Sequence, residues 1–312
     1  MMTQPSSLVA YVTSRCTQHC VFCTAGDQLL CTTDLTPAVL EACFAAFPSL
    51  RSVCLAGLGE PLCAHGLPQL VDCCFAHGRG ASLITNGHLV RERFDEVPWA
   101  RLLYVNISVN ETDPRGYAAL TGVDALPVVE DNVDLLLATG ASVVASFTVD
   151  RLSFRRAPLF VEWAADRGIS KVVIVNRLPR IGAHGELLDP EAFWSCVILR
   201  DSLEHAHVAA LTAETATRLG VELQCLPMPI PDASSAYPVP SRCMSPLESL
   251  GVDGAGDVSL CRRLLAPSAA WGNVLRDGAA VWTSPRAEEL RRQHREGDVP
   301  ARCRACFGSW AC

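Results

Sequence analysis

Cys16, Cys20 and Cys23 stand in a C-x3-C-x2-C pattern near the start of a 312-residue chain. Three soft thiolates on one loop can hold three irons of a four-iron cluster and leave the fourth iron open to a bound molecule. A tetrahedral structural zinc is the rival, with His19 available as its fourth ligand, and packed core thiols are the remaining alternative. A second pattern, Ala56-Gly57-Leu58-Gly59-Glu60-Pro61, places two glycines and a carboxylate in one short loop; the same residues also suit an ordinary strand-to-helix turn. A third pattern comprises Cys243, Cys261, Cys303 and Cys306, spaced C-x12-G-x4-C around Gly256 and then C-x2-C. Four thiolates from two separated segments make either a closed cluster site or a structural zinc site.

These residues need elements to hold them. Strands are expected at Leu8–Thr13, Val53–Ala56, Ser82–Thr85, Leu103–Val109, Val143–Val149 and Lys171–Val175, separated by helical patterns, which is the signature of parallel βα units. Between the first two strands, Thr36 caps a helix with Pro37 at its first position and Val39, Leu40, Cys43, Phe44 and Phe47 on one face. Further helices fit Leu67–His77, Pro158–Arg167 and Glu204–Leu219, and Val221–Cys225 reads as another strand. Such α/β series form open sheets or complete or partial barrels whose sites collect at the carboxyl ends of the strands. Cys16, Gly57–Pro61, Thr85–Gly87 and Ser108–Asn110 all fall at such ends. Pro227–Ser241 carries five prolines and reads as an extended connector. The expected division is therefore 1–226, a barrel with a following helical region, and 227–312, the connector and a small cysteine-bearing module.

Composition narrows the function. Hydrophobic residues make up 49% and charged residues 19%, as in a packed globular enzyme. A net charge of -7 opposes a non-specific grip on nucleic acid and suits a neutral or cationic substrate. No apolar run of about 18 residues predicts a membrane span, and no export signal precedes the first cysteines, so a cytoplasmic protein is expected. In that setting the 16 cysteines point to metal and redox roles over disulfides.

The triad and the glycine-rich segment together resemble the radical S-adenosylmethionine (SAM) superfamily over roughly residues 8–176. The resemblance implies a partial (β/α)6 barrel in which the triad holds a [4Fe-4S] cluster that binds SAM. It places Phe22 beside the adenine, Gly57, Gly59 and Glu60 at the SAM amino group, and Ser108 and Asn110 near its methionyl and ribose parts. The distal cysteines resemble the Twitch auxiliary-cluster module, with Gly251–Cys261 as its hairpin and Gly254 and Gly256 in the turn; this implies a second [4Fe-4S] cluster. It also implies an external one-electron reductant such as flavodoxin or ferredoxin.

The overall likeness is to short Twitch enzymes of aminoglycoside assembly, with no recognisable leader-peptide-binding segment before the triad. The expected reaction is hydrogen abstraction from a carbinol carbon of a small cationic carbohydrate, leading to epimerisation with Cys225, whose alternative is a packed core thiol, as the hydrogen donor. Dehydrogenation to a ketone and peptide modification are the alternatives. Arg177 and Arg180 are candidates for orienting substrate hydroxyls, with a surface or ion-paired arginine as the alternative. Cys43, Cys54, Cys73 and Cys74 read as small buried hydrophobes.

Overall fold

The computed structural model describes residues 4–23, 33–177, 191, 203–224, 243–261 and 270–298. Its ten strands, among the described residues, are β1 (Ser7–Tyr11), β2 (Ser52–Ala56), β3 (Gly80–Thr85), β4 (Val105–Ser108), β5 (Val143–Val149), β6 (Lys171–Asn176), β7 (Glu222–Gln224), β8 (Ser249–Val252), β9 (Asp257–Ser259) and β10 (Gly272–Asn273). They form one sheet in the order β10-β9-β8-β1-β2-β3-β4-β5-β6-β7. From β1 to β7 neighbours in space are neighbours in sequence and every pairing is parallel. Such an order needs a crossover after each strand. Helices supply most of these: α1 (Pro37–Ala46), α2 (Leu67–Ala76), α3 (Pro114–Thr121) with α4 (Leu126–Ala138), α5 (Ala157–Asp166) and α6 (Leu203–Leu219). Short 3-10 turns stand between β3 and β4.

All six expected strands are present in this α/β sheet, and two extensions lengthen it. At one end β7, within the expected Val221–Cys225, pairs with β6. At the other, β8 lies parallel to β1, Ser7 opposite Ser249 through Ala10 opposite Val252. The hairpin β8–β9 and the short β10 continue antiparallel from there. The C-terminal segment thus covers what would otherwise be the bare edge of β1, satisfying a row of backbone groups.

The apolar patterns behave as their spacing demands. Val39, Leu40, Cys43 and Phe44 of α1 are buried, as is Phe47 beyond its end. Thr36 does occupy the N-cap with extended backbone, but its side chain makes no capping hydrogen bond; Pro37, which has no N–H to satisfy, begins the helix instead. Cys43, Cys73 and Cys74 are buried, whereas Cys54 is only half-buried, because alternate side chains of β2 face opposite sides of the sheet. Among the described residues no helix is long and apolar enough to cross a membrane.

Candidate cluster and SAM site

The carboxyl ends of β1 to β6 surround a cavity of about 300 Å³, at the small end of the range for ligand clefts. Cys16, Cys20, Phe22 and Cys23 border it from the loop after β1, Gly57, Gly59 and Glu60 from the loop after β2, and Ser108 and Asn110 from the end of β4. Nine candidate residues from distant parts of the sequence therefore meet around one space. Cys225, Cys303, Cys306 and Arg180 lie outside the described residues.

The loop after β1 is held from two sides. On one, the His19 N–H donates to the Thr121 carbonyl (2.8 Å) and the Val21 N–H to that of Leu120 (3.0 Å), docking the loop on the last turn of α3. On the other, the Gly59 N–H donates to the Thr13 carbonyl (3.0 Å) and the Glu60 N–H to that of Arg15 (2.7 Å). A Cβ at Gly59 would lie 2.1 Å from the Arg15 carbonyl oxygen. The glycine expected to admit a ligand is thus required by the close approach of two loops, one of which carries the triad.

Glu60 is almost wholly buried and fully engaged. Its Oε1 accepts from the Thr85 hydroxyl (2.6 Å) and the Leu62 N–H (3.0 Å), and its Oε2 from the Asn86 N–H (2.6 Å). Burial pushes its carboxyl above the usual range, while the Asn86 N–H, the Thr85 hydroxyl and the Leu62 N–H pull the other way. The carboxylate therefore ties the β2 loop to the end of β3. Asn86, set by that tie, directs its Nδ2 towards Thr17 Oγ1 (3.1 Å) and Cys16 Sγ (3.8 Å). Asn110 Oδ1 accepts from the Thr148 N–H (3.0 Å), joining the ends of β4 and β5, and Ser108 receives a long contact from Ser146 Oγ (3.5 Å).

The triad's chemistry suits metal. Desolvation raises the thiol of Cys16, which is nonetheless accessible from the cavity. Burial first, and then the neighbouring Cys23 and Cys16, push Cys20 up to about 12. Such thiols stay protonated at neutral pH unless a cation draws off the proton. Among the described residues no three Cys, His, Asp or Glu side chains converge closely enough for one metal ion; the three thiols instead edge a common cavity. His19 does not border that cavity: its Cβ packs 3.3 Å from the position a Cβ on Gly122 would take. Three soft donors beside an open space fit a three-cysteine iron–sulfur cluster with an accessible iron and, facing the same space, SAM.

Thr85 and Asn86, expected at the end of the third strand, also border the cavity, and three residues that the sequence did not single out, Gln18, Thr148 and Asn176, join them. Strand-end position was the available signal for all but Gln18, which sits inside the triad itself. Of the two uses open to Arg177, the ion-paired one is observed. Arg177 donates to the Val21 carbonyl (3.3 Å) and pairs with Asp150 (3.6 Å), fastening the triad loop to the end of β5.

In the C-terminal segment Cys243 and Cys261 are half-buried on either side of the β8–β9 hairpin. Asp253 Oδ1 accepts from the N–H groups of Ala255 and Asp257 (both 3.0 Å), and Gly256 takes a positive φ of +84° to close the turn. A Cβ on Gly254 would lie 2.0 Å from the Thr33 carbonyl oxygen, so this turn packs on the chain returning from the triad loop.

Residues 10–150 match the family described as the Radical SAM superfamily, and residues 243–307 match SPASM, an iron–sulfur cluster-binding domain. The chain is similar to the probable GTP 3',8-cyclase of Thermococcus kodakarensis, 29% identical over 173 residues that cover 54% of this chain and 56% of that protein. It spans 60% of a second such protein, from Sulfolobus acidocaldarius. Streptococcus suis SuiB bound to precursor peptide SuiA shares the fold with a TM-score of 0.70 at 14% identity, over 98% of this chain and 72% of that one. BtrN in complex with AdoMet and 2-DOIA does so with a TM-score of 0.51 at 14% identity, over 98% and 94%.

Proposed function

We propose, from the premise that this chain carries a radical SAM domain followed by a SPASM iron–sulfur cluster-binding domain, that it abstracts hydrogen from a carbinol carbon of an aminoglycoside, aminocyclitol or aminosugar, and returns hydrogen on the opposite face to give an epimer. The observation that carries the reading is the cavity at the strand ends, where three thiols stand beside a row of neutral polar side chains. Bound there, a [4Fe-4S] cluster and SAM supply a 5'-deoxyadenosyl radical able to take hydrogen from carbon. Cys16, Cys20 and Cys23 would hold the cluster, with Phe22, Gly57, Gly59, Ser108 and Asn110 around SAM. Glu60 positions Thr85 and Asn86 on the cavity wall.

The net charge of -7 favours a cationic substrate. Cys225 is assigned the return of hydrogen to the substrate radical. The thiyl radical this leaves takes up one electron and one proton before the next turnover, with flavodoxin or ferredoxin as the electron source. Cys243, Cys261, Cys303 and Cys306 are assigned to a Twitch-like auxiliary [4Fe-4S] cluster. The competing outcome at the same carbon is a ketone, formed when a second electron and the hydroxyl proton leave instead.

A second reading, peptide modification, is favoured by the likeness to SuiB, whose structure contains a precursor peptide. Incubation of reduced enzyme with SAM and candidate amino sugars in deuterated water separates the outcomes. One solvent deuterium at the inverted carbon supports epimerisation, and loss of two hydrogens supports oxidation. Deoxyadenosine formed with a peptide and with none of the sugars would replace both by the second reading.

A further inference from the structure

The side chain between the first two cysteines of the triad is built into the site in a way the proposed reaction does not use. Gln18 is 7% exposed. Its backbone N–H donates to Cys16 Sγ (3.4 Å), its Oε1 accepts from the Cys20 thiol (3.4 Å), and its Nε2 donates to the Tyr117 hydroxyl (2.6 Å). Tyr117 is completely buried on α3, the helix on which the triad loop docks. A polar chain thus runs from a ligand sulfur through an amide to a buried phenol.

That chain changes sense when the thiol becomes a ligand. A coordinated thiolate has no hydrogen to give, so the amide oxygen would face sulfur lone pairs across 3.4 Å. Turning the amide half a revolution exchanges its oxygen and nitrogen at nearly unchanged positions. Nε2 then donates to Cys20 Sγ and Oε1 accepts from the Tyr117 hydroxyl, which serves as donor or acceptor equally well. Every partner is satisfied in both states, and in a buried site that matters because an unmade hydrogen bond is costly.

We propose that Gln18, held by Tyr117, is a positioning residue that donates a hydrogen bond to the Cys20 thiolate and so raises the reduction potential of the SAM-binding cluster. A donor at a ligand sulfur favours the more negative, reduced state. It makes the electron that starts each turnover easier to accept. The inference rests on the reading of the triad as cluster ligands.

The test is an anaerobic redox titration of the reconstituted full chain followed by EPR, using the signal that changes on addition of SAM to mark the first cluster. Gln18→Leu should lower the reduced-to-oxidised ratio at fixed potential about tenfold, equivalent to about 59 mV for one electron. Tyr117→Phe, which keeps the ring and removes the hydroxyl, should shift it about threefold in the same direction, since Gln18 remains but is no longer held. The double variant should match Gln18→Leu alone, because the two residues act in series. Unchanged potential in iron-replete Tyr117→Phe, or simple addition of the two effects, overturns the proposal. If Gln18→Leu fails to retain iron, Tyr117→Phe decides alone. Iron lost from both variants overturns it in favour of a purely architectural role. A wild-type chain that takes up no cluster would instead defeat the functional reading beneath it.

Discussion

The two cysteine sets are organised in opposite ways. The triad lies within residues 16–23 on one loop, gripped by the end of α3, by the β2 loop and by Arg177 from the end of β6. The distal four are spread over residues 243–306, with Cys243 and Cys261 on either side of a short hairpin and the last pair far along the chain. Gathering the first set costs little loop entropy beyond what the barrel has already met, whereas gathering the second closes long segments. The first site is therefore framed by the fold, and for a cluster bound at the second, more of the ordering falls to binding itself.

This contrast can be broken by removing ligands. Cys20→Ala should abolish deoxyadenosine formation below detection while leaving far-UV circular dichroism unchanged, because none of these grips on the loop uses the Cys20 side chain. Cys261→Ala should leave about four irons of an expected eight, retain SAM cleavage without product, and increase proteolysis near the C-terminus. Retained protease resistance in Cys261→Ala would show that the distal set is as well framed as the triad.

Two glycines distinguish the same two regions. Gly59→Ala and Gly254→Ala each force a Cβ onto a backbone carbonyl, at 2.1 and 2.0 Å respectively, an overpacking that costs about 1–3 kcal/mol. Gly59→Ala should weaken SAM binding, read by equilibrium dialysis, and spare the auxiliary iron. Gly254→Ala should do the reverse. Smallest of all, Cys43→Ala should keep both clusters and cost about 1 kcal/mol in a denaturant melt, since burial pushes that thiol up to about 12 and leaves it inert packing.

Much of the first region was legible in the sequence because its determinants are local. Cysteine spacing, a glycine-rich turn and strand ends all leave marks within a few residues, and the six strands with their βα order followed from hydrophobic runs. What stayed hidden depended on distant partners. Tyr117 is ninety-nine residues from Gln18, so nothing in the triad announced that the middle residue of its first spacer would bind a buried phenol. Sequence could not decide between a substrate-orienting and an ion-paired Arg177, because Asp150 and the Val21 carbonyl approach it only through the sheet. The parallel pairing of β8 with β1 brings residues 249–252 beside residues 7–10, and no periodicity encodes which edge a late strand will choose.

Anaerobic reconstitution puts the radical chemistry of the triad to the test. Full-length protein reconstituted with iron and sulfide, then given dithionite and SAM, should be brown, hold about eight irons per chain and release 5'-deoxyadenosine. A colourless, zinc-loaded protein that leaves SAM intact would contradict the account.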